Sequence, residues 1–175
     1  MVRISVKKIT VTAVIAALYA SMTLVGFSAA FGPIQLRFSE VLCILPFFIP
    51  CSVPGLFLGC LIANLVSPYG IIDIVAGSMA TLIAALMTMY IGRGKKDSTI
   101  VKALACFPPV LVNAIVIGGV IAWASTSGGE AFWHSFAVFG LQVGIGQFVV
   151  MYFIGLPMML YLPKSQLFSL LSVNS

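Results

Sequence analysis

Few residues in this chain are able to do chemistry, and two of them sit three apart. Arg37 and Glu40 open a hydrophobic run, and on a helix that spacing puts them on one face. A guanidinium donates in a planar fork and a carboxylate accepts two bonds side by side. Fixed together, they can hold a molecule that offers both donors and acceptors, or they can form a mutual ion pair capping the helix. Asp73, in the first turn of a later apolar run, has the same choice between complementing a helix dipole and accepting from a cation. Asn113, Gln142 and Gln147 lie inside apolar stretches. An amide there needs a partner, either on a neighbouring helix or on a ligand. Gly140, Gly144 and Gly146 beside them permit close backbone approach to either one.

Other chemistries lack their residues. The sequence contains no GxxxxGK[ST] and no HExxH, and its only histidine is His134. A lone histidine at a helix end reads most simply as a surface residue. Cys43, Cys51, Cys60 and Cys106 show no CxxC spacing and read as small core residues. No Ser/Lys or paired-Asp arrangement falls at one membrane depth. An enzyme therefore has little support, neither metal nor cofactor is expected, and a binding or transport role fits better.

The elements that must position these groups are apolar. Of 175 residues, 61% are hydrophobic and 7% charged, with a mean hydropathy of +1.18, whereas soluble domains carry about 25% charged residues. The composition predicts an all-α polytopic membrane protein with a single transmembrane domain over 1–175. Helices are expected at about 8–30, 36–49, 54–66, 71–91, 99–123 and 132–161. The first apolar run exceeds a signal-peptide core and reads as a span. The second and third fall short of the roughly 20 residues an upright span needs, a length tolerated where a segment lines an enclosed cavity. Pro108-Pro109 is expected to kink the fifth helix, and Pro157 to interrupt the sixth near its end.

Charge sorting tests this topology. With six helices, Arg3, Lys7, Lys8, Arg93, Lys95, Lys96, Lys102 and Lys164 fall on one side. That side is then cytoplasmic and carries both termini. Arg37 is alone on the outer side, where Glu40, Asp73 and Glu130 also fall. Positive-inside anchoring does not explain Arg37. Gln35, Asn64, Tyr69, Trp123, Trp133 and His134 gather on the same outer side, the tryptophans reading equally as interfacial anchors. The net charge of +5 follows from the cytoplasmic loops; no basic run with interleaved aromatics suggests nucleic acid. On helix 1, Ala13-xxx-Ala17 and Ala16-xxx-Ala20 allow another helix to come close, within this chain or on a partner.

With the helix 1 alanines, the segment Gly32-Pro33-Ile34-Gln35-Leu36-Arg37-Phe38-Ser39-Glu40, supported by Ser67-Pro68-Tyr69-Gly70-Ile71-Ile72-Asp73, resembles the QueT family among the substrate-binding S subunits of energy-coupling factor (ECF) transporters. The resemblance implies a subunit that binds one micronutrient near the outer face and works with a transmembrane coupling subunit and two ATPases. It implies a queuosine precursor or salvage form as ligand: 7-aminomethyl-7-deazaguanine, queuine or queuosine. Ala13, Ala17, Ala16 and Ala20 would then form the docking surface. Glu40 would accept from the ring N–H and exocyclic amine, and Arg37 would donate to the carbonyl or orient Glu40. Asp73 or Glu130 would meet the aminomethyl cation. Gln35, Asn113, Gln142 and Gln147 would complete the polar edge, with Phe38, Tyr69 or Trp133 stacking on the ring. The alternatives are an S subunit for another vitamin or nucleobase, a small intramembrane enzyme, or a structural membrane subunit.

Overall fold

A computed structural model describes residues 6–32, 34–94, 97–126, 129–161 and 163. Arg3, Pro33, Lys95, Lys96, Lys164 and the tail, which figure in the loop and charge expectations, lie outside them. Among the described residues all regular structure is helical: α1 (Val6–Val25), α2 (Phe27–Ala30), a 3-10 helix (Phe38–Phe47), a short 3-10 turn (Pro50–Ser52), α3 (Val53–Asn64), α4 (Gly70–Ile91), α5 (Thr99–Ala105), α6 (Phe107–Ser125), α7 (Glu130–Phe148), a π-helical stretch (Val149–Gly155) and α8 (Leu156–Tyr161).

Among the described residues, four helical stretches are long and apolar enough to cross a membrane: Val6–Val25, Gly70–Ile91, Thr99–Ser125 and Glu130–Tyr161. Of the six expected spans, the second and third appear instead as the shorter apolar segments Phe38–Phe47 and Pro50–Asn64. The outward faces of the long stretches are apolar, with Ile71, Ile100 and Phe153 more than two-thirds exposed. This is the surface a protein presents to lipid.

Prolines and glycines explain where the elements depart from plain α-helix. The first helix does not run unbroken to residue 30; it turns at Gly26 before α2. The fifth breaks at Cys106, so that Pro108 and Pro109 enter at the start of α6, where a missing N–H leaves no helical bond unmade. Ahead of Pro157 the helix widens into π turns over Val149–Gly155, which relieves the clash between the proline ring and the carbonyl four residues back.

The largest departure is the segment expected as an α-helix at 36–49. It is a ten-residue 3-10 helix containing Pro46, well beyond the usual three or four residues. It is buried on nearly every side, from Ser39 to Phe47, and packs against α1, α3, α4 and the π-helical stretch. Around it Val11, Ile15, Tyr19, Leu56 and Ala85 form one apolar cluster. Close helix crossings hold the rest. A Cβ on Gly59 of α3 would stand 2.7 Å from the Ala16 carbonyl oxygen of α1, and one on Gly118 of α6 would stand 2.6 Å from the Gly140 Cα of α7.

Candidate ligand site

The 3-10 geometry positions the first charged pair. With three residues per turn, side chains at i and i+3 eclipse, so Glu40 and Cys43 form one column, and Arg37 caps the helix just ahead of it. All three are buried, with Arg37 2% and Glu40 0% exposed. They do not bond to one another as a simple i,i+3 ion pair. The Glu40 carboxylate accepts from Tyr19 Oη of α1 at 2.5 Å and from Cys43 Sγ at 3.1 Å. Thr81 Oγ1 of α4 lies 3.4 Å from the Oε1 that Tyr19 also bonds. The carboxylate thus ties α1, the 3-10 helix and α4 together.

Arg37 turns to Asp73 instead. Its Nη2 lies 4.0 Å from Asp73 Oδ2, the one ion pair among the described residues. Its guanidinium stands 5.2 Å over the ring of Phe31 and its Nη1 reaches Cys60 Sγ at 3.9 Å. Asp73 Oδ2 also accepts from Ser67 Oγ at 2.5 Å. Asn64 Nδ2 donates to the Asp73 backbone oxygen at 3.1 Å and to Cys60 Sγ at 3.5 Å. Thr81 Oγ1 lies 3.2 Å from the same sulfur.

Several buried polar atoms close to this network have no hydrogen-bond partner within the protein: Arg37 Nε, Arg37 Nη2 (which has only the ion pair with Asp73), Asp73 Oδ1 and Asn64 Oδ1. Gln35 Nε2, both side-chain polar atoms of Asn113, Gln142 Oε1 and Gln147 Oε1 are likewise unpartnered. A Cβ on Gly77 would lie 3.0 Å from Asp73 Oδ1 and 3.5 Å from Ile117 Cδ1, which places Ile117 of α6 beside the carboxylate. Asn113 is one turn before Ile117. Val143 of α7 packs on Ile117 and Ile121, and Gln147 is one turn beyond Val143. Polar groups from α1, the 3-10 helix, α3, α4, α6 and α7 thus approach one buried region. Unpaired buried groups are costly, and a set of them in one place makes this region the candidate site.

The segment before Arg37 closes over α7. Gly146 lacks the side chain that would strike the Ile34 carbonyl, and its Cβ position is 3.2 Å from the Gln35 oxygen. Gln35 is held at φ 50, a left-handed conformation unusual for a residue other than glycine, asparagine or aspartate. Its N–H donates to the Gly32 carbonyl at 3.1 Å.

Other expected site residues fall elsewhere. Phe38 is 43% exposed on the outside of the 3-10 helix; a third of a turn separates it from Arg37, and Phe31 is the ring on the guanidinium instead. Tyr69 packs at the edge of the Ile117–Ile121–Val143 cluster. Trp133 is exposed and, with Trp123, Gly129, Glu130 and Phe132, lines an open pocket of about 410 Å3. His134 is exposed as well. The two alanine pairs separate: Ala16 and Ala20 are buried, whereas Ala13 and Ala17 are exposed. Sequence reasoning missed Tyr19, Cys43, Cys60, Asn64 as a contributor to the charged cluster, and Thr81. Only the i+3 step from Glu40 to Cys43, and the Cys60–Asn64 step on α3, carried a signal.

The fold and the site define a multi-pass membrane protein that encloses a charged, partly unpaired polar cluster in its bundle. The model of the QueT transporter family matches residues 9–164, and the chain belongs to that family. It is also similar to a protein of Lactococcus lactis subsp. cremoris (strain MG1363) named queuosine precursor transporter QueT, 36% identical over 92 residues. That match covers 51% of this chain and 54% of the relative, so the chain spans about half the length of the curated relative it matches. No solved structure matches the chain.

Proposed function

We propose that this protein is the substrate-binding membrane subunit of an ECF-type importer for queuosine precursors or salvage forms. In this reading it crosses the membrane six times with both termini cytoplasmic, and it relies on a separate coupling subunit and ATPases. Membership of the QueT transporter family supports the transport role, and the relative's name supports the ligand class. The observation that carries the reading is the set of unpaired donors and acceptors around Arg37, Asn64 and Asp73. The cluster holds one guanidinium against two carboxylates. Its formal charge suits a ligand with a cationic arm and several N–H donors, such as 7-aminomethyl-7-deazaguanine.

Within the site, Asp73 is the carboxylate that meets ligand N–H groups, because its Oδ1 is unpartnered. Glu40 already accepts from Tyr19 and Cys43 and holds the walls in register. Arg37 donates to the ligand through Nε and Nη2, and Gln35, Asn113, Gln142 and Gln147 supply the remaining polar edge. Ala13 and Ala17, exposed on α1, form the docking stripe for the coupling subunit. Ala16 and Ala20 pack within the chain.

The test is a calorimetric and thermal-shift titration of the detergent-purified chain. The panel is 7-aminomethyl-7-deazaguanine, queuine, queuosine, guanine and unrelated vitamins. Deazaguanines are expected to give saturable stabilisation that grows with ligand excess over the dissociation constant. Stabilisation by a vitamin and not by any deazaguanine would overturn the ligand assignment.

A further inference from the structure

Three donors in the buried cluster converge on one weak acceptor. Arg37 Nη1, Asn64 Nδ2 and Thr81 Oγ1 approach Cys60 Sγ at 3.9, 3.5 and 3.2 Å. A cysteine sulfur is a poor acceptor, so these groups gain little from it. Arg37, Asn64, Thr81 and Cys60 are each no more than 2% exposed, so the donors are shielded from bulk solvent. Unpartnered acceptors stand close by: Asn64 Oδ1 on the same amide, and Asp73 Oδ1 on the carboxylate that faces Arg37.

We propose that Cys60 is a specificity-determining residue: its sulfur holds the Arg37, Asn64 and Thr81 donors loosely, and they transfer to a carbonyl oxygen of the bound ligand. The free acceptors on Asn64 and Asp73 take the N–H groups next to that carbonyl. The ligand edge so defined is a lactam, a ring carbonyl flanked by a ring N–H. This inference rests on the proposed ligand site and names how that site reads its ligand. A thiol suits the task because a stronger acceptor would keep the donors and compete with the ligand, whereas an apolar side chain would take one contact from each of them in the empty protein.

Serine and alanine at this position separate acceptor strength from volume. Calorimetry with 7-aminomethyl-7-deazaguanine on the detergent-purified full chain is expected to give Cys60→Ser about tenfold weaker binding or worse, since its hydroxyl retains bonds of ordinary strength. Cys60→Ala is expected to bind as tightly as the native chain or more tightly, while melting at a lower temperature without ligand. Native-like affinity in Cys60→Ser, or an equal loss in both variants, would overturn the proposal. A second measurement needs no intact variant: on the native chain, an analogue lacking the ring carbonyl oxygen should bind at least about a hundredfold more weakly, and equal affinity would also overturn it. Arg37→Ala and Asp73→Asn guard the underlying reading. If both keep native affinity, the ligand lies elsewhere; if both lose it while Cys60→Ser does not, only the role of Cys60 fails.

Discussion

Exchanging each buried carboxylate for its amide separates the carboxylate that organises the site from the one that meets the ligand. In Glu40→Gln an NH2 replaces an oxygen that now accepts from Tyr19 at 2.5 Å or from Cys43 at 3.1 Å. In either orientation the NH2 can donate to the Tyr19 hydroxyl or the Cys43 sulfur only if that O–H or S–H turns away and loses its acceptor at a fully buried position. Losing one charge-assisted bond and stranding its donor removes about 2–5 kcal/mol from the empty protein. Asp73→Asn differs, because Asn can still accept from the Ser67 hydroxyl that Asp73 Oδ2 holds at 2.5 Å. Its fold also gives up the charge that faces buried Arg37 at 4.0 Å, a loss of up to about 3–5 kcal/mol, so affinity rather than melting temperature separates the two carboxylates. The affinity for a ligand that donates to the free Oδ1 falls by about 1.5–3 kcal/mol, roughly 10- to 150-fold. Melting curves of the detergent-purified variants and calorimetric affinities for 7-aminomethyl-7-deazaguanine give both quantities. Should Glu40→Gln melt like the native chain while losing more affinity than Asp73→Asn, the two roles are reversed and the reasoning from unpartnered atoms is wrong.

Other substitutions probe the elements around the site. Tyr19→Phe removes the shortest bond to Glu40 and should destabilise by about 1.5–3 kcal/mol, with a smaller effect on affinity than Asp73→Asn; an unchanged melting temperature would refute the strut. Gly146→Val drives a side chain into the Ile34 carbonyl, so overpacking of about 1–3 kcal/mol should lower the melting temperature and weaken ligand binding together. Ala16→Leu, buried at the α1–α3 crossing, should melt early, whereas Ala17→Leu, exposed on the same helix, should melt normally and fail to co-purify with the coupling subunit and ATPases. Normal co-purification of Ala17→Leu would remove the docking role.

Composition made the membrane class legible because so little charge leaves no other way to cover 61% hydrophobic residues. Long apolar runs made α4 legible almost to the residue: expected at 71–91, it spans Gly70–Ile91. Arg37, Glu40 and Asp73 were found because charge inside such a chain is rare, and their burial together is the structural counterpart of that rarity. Their partners were not legible. Tyr19 lies 21 residues from Glu40 in sequence and Thr81 lies 41, and in an apolar background a tyrosine or threonine carries no mark of what it faces. Phe38 misled for a related reason. An aromatic next to the charges in sequence points elsewhere once helix type fixes the rotation per residue, and the ring that covers Arg37 is Phe31, six residues earlier.

Helix type also resolves the shortness of the second segment. As an α-helix, the ten residues Phe38–Phe47 would rise only about 15 Å; as a 3-10 helix they rise about 20 Å. The same tightening fixes the chemistry. Each three-residue step on an α-helix falls about 60° short of a full turn, so Glu40 and Cys43 would diverge by about 60°. At three residues per turn they eclipse, and carboxylate and thiol stand in one column under the Arg37 cap. Pro46 continues that column, and its missing N–H and fixed φ make it a poor guest inside an α-helix. A segment too short to be an ordinary span is, on this argument, one stretched to gain length and wound to align its polar groups. Burial of all but Phe38 and part of Leu42 against α1, α3, α4 and the π-helical stretch supplies the packing that holds a 3-10 helix of this length, which its own hydrogen bonds would not.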